Sequence, residues 1–157
     1  ERIQSTPELS LIWQVKRSKL YYLLEKLAQE GFLALSVSLQ EGYPDRKVYR
    51  LTETGKQAFE DWLLAPVHSS RHVRIAFLSK LYFALLKGRS AAQDLIEAQL
   101  QVCQGWHQNL TGELDGIAPE HFIAKQVFRF RIGQVQAMIA WLVNCRAQIP
   151  AAGSSET

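Results

Sequence analysis

The fold is decided by residues 18–51, which read SKLYYLLEKLAQEGFLALSVSLQEGYPDRKVYRL. The first part of this stretch carries one apolar stripe at helical spacing, formed by Leu20, Leu23, Leu24 and Leu27. Ser18 is a suitable N-cap for this helix, because its hydroxyl can accept a hydrogen bond from a free amide of the first turn. Gly31 is a suitable residue just beyond the helix C-terminus. The stretch therefore predicts a helix that begins at Ser18 and stops before Gly31.

The hydrophobic period then changes from the helical value to two, which predicts strands with one buried face. The inward-facing side chains are predicted to be Leu33, Leu35, Val37 and Leu39 on the first strand, and Tyr49 and Leu51 on the second. Residues 41–45 separate the two runs and read EGYPD, which is turn chemistry. Two strands around such a turn predict a β-hairpin.

Shorter helices are predicted on both sides of this stretch. An apolar run near Leu9 predicts a helix of about two turns, and a second helix is expected to open at Thr52 and end at Pro66. Residues 1–66 therefore have the predicted order helix, helix, hairpin, helix. This is a winged helix-turn-helix arrangement.

The rest of the chain is predicted to be helical. One helix is expected over residues 72–87, a second before the breaks at Gly112 and Gly116, and a last one beginning at Pro119. We assign residues 67–148 to an all-α dimerisation domain and residues 149–157 to a disordered tail. The predicted fold class is mainly α with a small β-hairpin.

Apolar residues at heptad spacing on the last two helices indicate an interface between copies of the chain. The residues predicted to form it are Trp106, Leu110, Phe128, Ile132, Val135 and Ile139. A monomeric bundle that packs these stripes internally is the alternative. Trp106 and Trp141 are weaker candidates for an aromatic effector pocket, since aromatic residues at helical spacing usually belong to a core.

Composition excludes several classes of protein. The 157 residues are 47% hydrophobic and 21% charged, as in a globular protein, and no apolar run is long enough for a membrane span. The two cysteines fit neither a disulfide framework nor a metal site, and a reducing cytoplasm is expected. The histidines lack metal-ligand spacing and no catalytic motif is present, so we expect no metal, no cofactor and no enzyme activity.

The net charge of +3 is too small to indicate a nucleic-acid partner, but its distribution is informative. Basic residues gather at Lys16, Arg17 and Lys19, where the predicted helix begins. Cations are unfavourable at the N-terminal end of a helix, because the helix dipole is positive there. A bound external anion, such as a phosphate, would offset this cost by contacting both the cations and the helix amides. The residues predicted to bind DNA are Lys16, Arg17, Ser18, Lys19, Tyr21 and Tyr22 from the helix, and Arg46 and Lys47 from the hairpin.

Three segments resemble the PadR family of transcriptional regulators. Residues 15–33 look like the recognition-helix segment of that family, and residues 46–55, RKVYRLTETG, are similar to its RKxYxLTxxG signature. Residues 77–83, FLSKLYF, resemble the start of its C-terminal helical domain. The ordered set covers about residues 9–145 and is more specific than any one segment, because MarR-type winged helices carry a similar Leu-Thr-Glu-x-Gly element.

The resemblance implies a repressor that binds a near-palindromic operator in double-stranded DNA as a homodimer and releases it in response to a small-molecule effector. It assigns Ser18, Lys19 and Tyr21 to the recognition helix, and Arg46 and Lys47 to the wing. Lys16, Arg17 and Tyr22 are added on their chemistry alone. The family also has a further helix, usually with a His-Gly-Tyr motif, before the segment seen here, and we expect the sequence to be truncated at that end.

Two other functions fit the same sequence. A winged-helix module can bind other proteins without binding DNA, because fold alone does not decide function. An acidic surface around the recognition helix would favour that alternative, whereas Lys16, Arg17 and Lys19 argue against it. A helical dimer that sequesters a small molecule would need a solvent-connected aromatic cavity near Trp106 or Trp141.

Overall fold

The computed structural model describes residues 7–38 and 46–149, with the side chains of Ser38 and Arg46 outside that description. The chain forms two compact units, Glu1–Leu63 and Leu64–Thr157, named here the N-terminal unit and the helical unit. The division falls close to the domain boundary proposed after residue 66. The hairpin loop and the residues from 150 onward lie outside the described part, whereas Ile149, assigned above to the tail, is buried.

The predicted order helix, helix, hairpin, helix is confirmed. The elements are α1 (Pro7–Ile12), α2 (Arg17–Gln29), β1 (Leu33–Ser38), β2 (Arg46–Leu51) and α3 (Glu53–Leu64). The mainly α fold class with one antiparallel hairpin is also confirmed.

The two ends of α2 differ in how well the sequence predicts them. Gly31 has a φ of +82°, a left-handed conformation that glycine adopts without strain, and the predicted stop is confirmed. The predicted N-cap is wrong. Lys16 takes that position in an extended conformation, and the Leu20 amide donates to the Lys16 carbonyl at 3.0 Å. Since this bond already closes the first turn, Ser18 lies inside the helix.

The strands pair antiparallel, and Leu33 lies opposite Leu51, Leu35 opposite Tyr49, and Val37 opposite Lys47. These residues share one face of the hairpin, as the alternation predicts. The prediction that the whole face is buried is wrong, because Leu35, Val37 and Leu51 are 47%, 55% and 52% exposed. Alternation determines the face to which a side chain points, whereas burial needs a second element packed over that face. Leu39 lies outside the described residues.

The start of α3 is tied to the turn after α2 by Thr52. Its hydroxyl accepts a hydrogen bond from the Gly55 amide at 2.9 Å and donates to the Gly31 carbonyl oxygen at 2.7 Å. The Gly55 Cα lies so close to the Phe32 carbonyl that an added Cβ would stand 2.0 Å from its oxygen. The expected opening of α3 at Thr52 is confirmed.

Replacing Thr52 with valine removes both of these hydrogen bonds without changing the side-chain shape. We expect the N-terminal unit to lose about 1–2 kcal/mol of stability, the usual cost of a lost N-cap. Urea unfolding with hydrogen exchange at residues 53–57 measures this loss. Thr54→Val is the matched control, because Thr54 is exposed within α3. Equal losses in the two variants would contradict the capping role.

Over its described residues, 64–149, the helical unit contains three α-helices, preceded by a 3-10 turn at Ser70–His72 and a π-helical turn at Val73–Phe77. The helices are α4 (Leu78–Lys87), α5 (Arg89–Asp115) and α6 (Phe122–Gln148). The break expected at Gly112 is wrong, since α5 continues to Asp115 and ends before Gly116. A glycine in a helix interior costs only about 1 kcal/mol, which tertiary packing can offset.

The start of the last helix also differs from the prediction. Pro119 lies in a turn, in which the His121 amide donates to the Ala118 carbonyl oxygen at 3.1 Å. His121 then occupies the N-cap position of α6, so the helix begins three residues after the proline. Proline is compatible with a turn as well as with a first helical position, and the sequence pattern alone does not separate the two.

Helices α5 and α6 run antiparallel to each other. Arg146 Nη1 donates to Glu97 Oε2 at 2.7 Å, and the ring Nε2 of His107 lies 3.1 Å from Gln136 Nε2. The core beside them is formed mainly by apolar side chains from α4, α5 and α6 and the turn before α4: Phe77, Leu81, Leu95, Ile96, Leu100, Cys103, Val135 and Leu142.

Candidate nucleic-acid interface

The N-terminus of α2 combines exposed cations with free backbone donors. Lys16, Arg17 and Lys19 are exposed, and the first turn contains no acidic residue. The N-cap residue Lys16 makes no side-chain hydrogen bond to the amides of this turn. Because both the amides and the helix dipole favour an anion, a phosphate placed here would meet the three cations and the backbone donors together.

Ser18, Tyr21 and Tyr22 continue this surface along α2. They lie at helical spacing on the side of α2 opposite its leucine stripe, and the two tyrosines are 58% and 63% exposed. Exposed tyrosines bring a hydroxyl for hydrogen bonding and an apolar ring that can contact a base. The structure therefore places all six of these predicted residues at accessible positions, Lys16 at the N-cap and the other five on α2.

Lys47 lies next to α2, but it is already paired there. Its Nζ donates to Glu25 Oε1 at 2.9 Å, and both side chains are about half exposed. The hydrogen bond and the negative charge of Glu25 raise the pKa of Lys47. Arg46 begins β2, and its side chain lies outside the description. Sequence reasoning missed Glu25, although it follows Tyr21 by one helical turn on the exposed side of α2.

Replacing Glu25 with glutamine should strengthen binding to duplex DNA about two- to fivefold at low salt. The substitution releases Lys47 and removes a negative charge beside the cations of α2, and the effect is modest because exposed ion pairs of this kind are weak. Fluorescence anisotropy measures the change. Glu30→Gln is the control, because Glu30 pairs with Lys26 at the far end of α2. Unchanged or weaker binding by Glu25→Gln would contradict the placement of DNA along α2.

The residues predicted for the interface between copies have mixed accessibility. Val135 is 3% exposed within the single chain and belongs to the internal core. The other five are half-buried: Trp106, Leu110, Phe128, Ile132 and Ile139. These stripes therefore contribute at least in part to packing within the chain, as the alternative of an internal bundle predicts.

A second stripe on α6 was missed by the sequence analysis. This stripe is exposed and its residues follow heptad spacing. Its apolar members are Ile123, Val127, Phe130, Ala137 and Trp141, and the polar Gln134 occupies the remaining position of the repeat. Phe130 is 67% exposed and Ile123 is 70% exposed. The sequence signal for this stripe is that α6 is apolar on more than one side, which is unusual for a helix with a single packing partner.

The two tryptophans proposed for an effector pocket are placed differently. The Trp141 ring packs edge-on against Phe77, with ring centroids 5.9 Å apart, and is 38% exposed. Trp106 is half-buried on α5.

Burial raises the pKa of the Cys103 and Cys145 thiols, which disfavours the reactive thiolate.

Neither a metal site nor a membrane helix is found in the described ranges 7–38 and 46–149. Within them, no group of three or more His, Cys, Asp or Glu side chains is placed to hold a metal ion. No helix there is long and apolar enough to cross a membrane.

Family comparisons match both units of the chain. Residues 3–61 match the transcriptional regulator PadR-like family, and residues 73–149 match a family described as virulence activator alpha C-term. A negative transcriptional regulator PadR from Bacillus subtilis (strain 168) is 35% identical over 108 residues, or 69% of this chain. That match spans 59% of the relative's own length.

Solved structures of a similar protein have also been found. A crystal structure of Bacillus subtilis PadR in complex with operator DNA has 28% sequence identity and a TM-score of 0.43, and the match covers 92% of this chain and 85% of the other. A structure of the same protein with p-coumaric acid has the same identity and TM-score, with 91% and 83% covered.

Proposed function

We propose that this chain, which belongs to the PadR-like family of transcriptional regulators, represses transcription by binding double-stranded DNA. The family match includes the whole of α2 and the hairpin, and the 35% identical relative is described as a negative regulator. The observation that carries the proposal is the exposed, uncapped and cationic start of α2.

In this proposal, α2 enters the major groove and the hairpin contacts the backbone beside it. Lys16, Arg17 and the free amides of the first turn bind phosphate, which fixes the position of the helix. Ser18, Lys19, Tyr21 and Tyr22 face the base edges, where side-chain donors and rings distinguish base pairs. Arg46 and Lys47 hold the flanking phosphates, and Lys47 exchanges its partner Glu25 for the DNA.

The protein acts as a homodimer, because a two-fold dimer matches a near-palindromic operator. The helical unit supplies the dimer surface. The five half-buried residues of the predicted interface contribute to this surface, together with the exposed stripe from Ile123 to Trp141 on α6. A heptad stripe of this length is typical of a helix that packs against another helix.

A small-molecule effector completes the proposal. Its binding to the helical unit, beside Trp106 or Trp141, lowers the affinity for DNA, so that the repressor is released. The protein works in the cytoplasm and catalyses no reaction.

Selection from a randomised duplex library tests this function. We expect enrichment of an inverted repeat with half-sites about one helical turn, roughly 34 Å, apart. Sedimentation of the protein with the selected duplex should give two chains per duplex. Failure to enrich any sequence, together with weak binding at low salt, would contradict the proposal and favour a winged-helix module that binds other proteins.

A further inference from the structure

Residues 65–67 follow α3, belong to the helical unit and are held there by a glutamine of α5. Gln99 of α5 is fully buried, and its Oε1 accepts a hydrogen bond from the Val67 amide at 2.7 Å. Its Nε2 donates to the Val67 carbonyl oxygen at 3.0 Å. One side chain therefore pairs with both backbone groups of a single residue, as a neighbouring strand would.

This pairing makes specific demands on the side chain. A carboxamide offers an N–H donor and a C=O acceptor on one planar group, as a peptide group does, and it does so at any pH. The second hydrogen of Nε2 points to Cys103 Sγ, 3.7 Å away. A buried amide is unfavourable unless such partners satisfy it, so the position of Val67 and the burial of Gln99 depend on each other.

A second buried polar side chain holds the same segment two residues earlier. Lys80 of α4 is 5% exposed, and its Nζ donates to the Ala65 carbonyl oxygen at 2.6 Å. Burial lowers the pKa of Lys80, so its charge is held there at an energetic cost. Val67 itself is 6% exposed. Residues from two different helices thus bind the backbone directly after α3 ends at Leu64.

We propose that Gln99 and Lys80 form a clamp on residues 65–67 that couples the state of α4 and α5 to the affinity of the chain for DNA. The proposal rests on the DNA-binding function given above. The clamped segment is already ordered before DNA binds. Binding therefore costs less conformational entropy than it would with a free segment. A shift of α4 against α5 moves Lys80 away from Gln99, so the two side chains can no longer hold the segment together. The affinity of the chain for DNA then falls.

Hydrogen exchange tests the clamp without DNA. Gln99→Met keeps the length of the side chain but removes both hydrogen bonds to Val67. We expect the Val67 amide to exchange about tenfold faster or more, which corresponds to one lost hydrogen bond. Gln101→Met is the control on the same helix, because Gln101 is exposed. Unchanged exchange at Val67 in Gln99→Met would overturn the clamp.

Binding to a duplex selected by the wild type tests the coupling. In Gln99→Met we expect about tenfold weaker binding, the same salt dependence and the same number of chains per duplex at saturation, because the phosphate contacts are unchanged. Partial unfolding would instead lower the fraction of chains that bind. Faster exchange with unchanged affinity would overturn the coupling.

Lys80→Met provides a second, independent variant. It keeps most of the aliphatic chain, removes the bond to Ala65, and should weaken DNA binding in the same direction as Gln99→Met. An affinity equal to that of the wild type would contradict the role of Lys80. Absence of DNA binding by the wild type itself would refute the proposed function, whereas the exchange experiment would still decide whether the clamp exists.

Discussion

Replacing Gly55 with alanine is expected to destabilise the N-terminal unit by about 3 kcal/mol, the upper part of the range for overpacked sites. A Cβ at this position would stand 2.0 Å from the Phe32 carbonyl oxygen and 2.9 Å from its carbon. Both atoms belong to the backbone, so no side-chain rotation relieves the clash. The start of α3 must then move away from the turn after α2, and the hydrogen bonds through which Thr52 joins the two are lost.

Gly112→Ala is the matched control for this substitution. Gly112 lies inside α5, and an added Cβ there meets no atom within 4 Å beyond the neighbouring backbone of its own helix. Alanine should therefore stabilise the helical unit by about 0.5–1 kcal/mol through helix propensity. Urea unfolding followed by hydrogen exchange separates the two units. A destabilisation below about 1 kcal/mol for Gly55→Ala would contradict the close approach of α3 to Phe32.

Removing two cations from the start of α2 is expected to give the second large effect. In the double variant Arg17→Ala, Lys19→Ala, binding to duplex DNA should weaken roughly a hundredfold, because each charge-assisted hydrogen bond is worth roughly 1.5 kcal/mol. The salt dependence should also flatten by about 0.9 for each phosphate that the variant no longer neutralises. Fluorescence anisotropy at several salt concentrations measures both quantities.

The double variant Lys125→Ala, Arg129→Ala controls for net charge. It removes one lysine and one arginine from α6 in the helical unit, so its total charge equals that of the α2 variant. We expect less than a threefold change in affinity, because the proposed function gives these two residues no contact with DNA. Equal weakening in the two double variants would show that binding depends on overall charge and would contradict a site on α2.

The N-terminal unit could be predicted from the sequence because its signals are local. The change of period at Leu33 indicates the hairpin, and Gly31 and Thr52 mark the adjacent turns. The start of α2 at Arg17 was missed, because either Lys16 or Ser18 can occupy the boundary. The packing of Gly55 against Phe32 depends on residues far apart in the chain, and spacing alone cannot show it.

The helical unit shows what periodicity leaves undecided. It identifies the apolar stripes of α5 and α6, but it does not tell an internal stripe from an exposed one. Val135 is buried, whereas Phe130 and its neighbours on the second stripe are exposed. Gln99 occupies a heptad position of α5 where an apolar residue is expected, so in the sequence it only breaks the apolar pattern. Its pairing with Val67 emerges only when the two segments lie side by side.

The most direct test of the central claim is fluorescence anisotropy of the protein with random duplex DNA, between about 50 and 300 mM salt, after sedimentation has verified the proposed dimer. Binding through the cations of α2 predicts high affinity at the lowest salt and a steep linear fall of log K with log salt concentration. The slope should flatten in the Arg17→Ala, Lys19→Ala variant. No binding at the lowest salt by a verified dimer would contradict the claim that this protein acts on DNA.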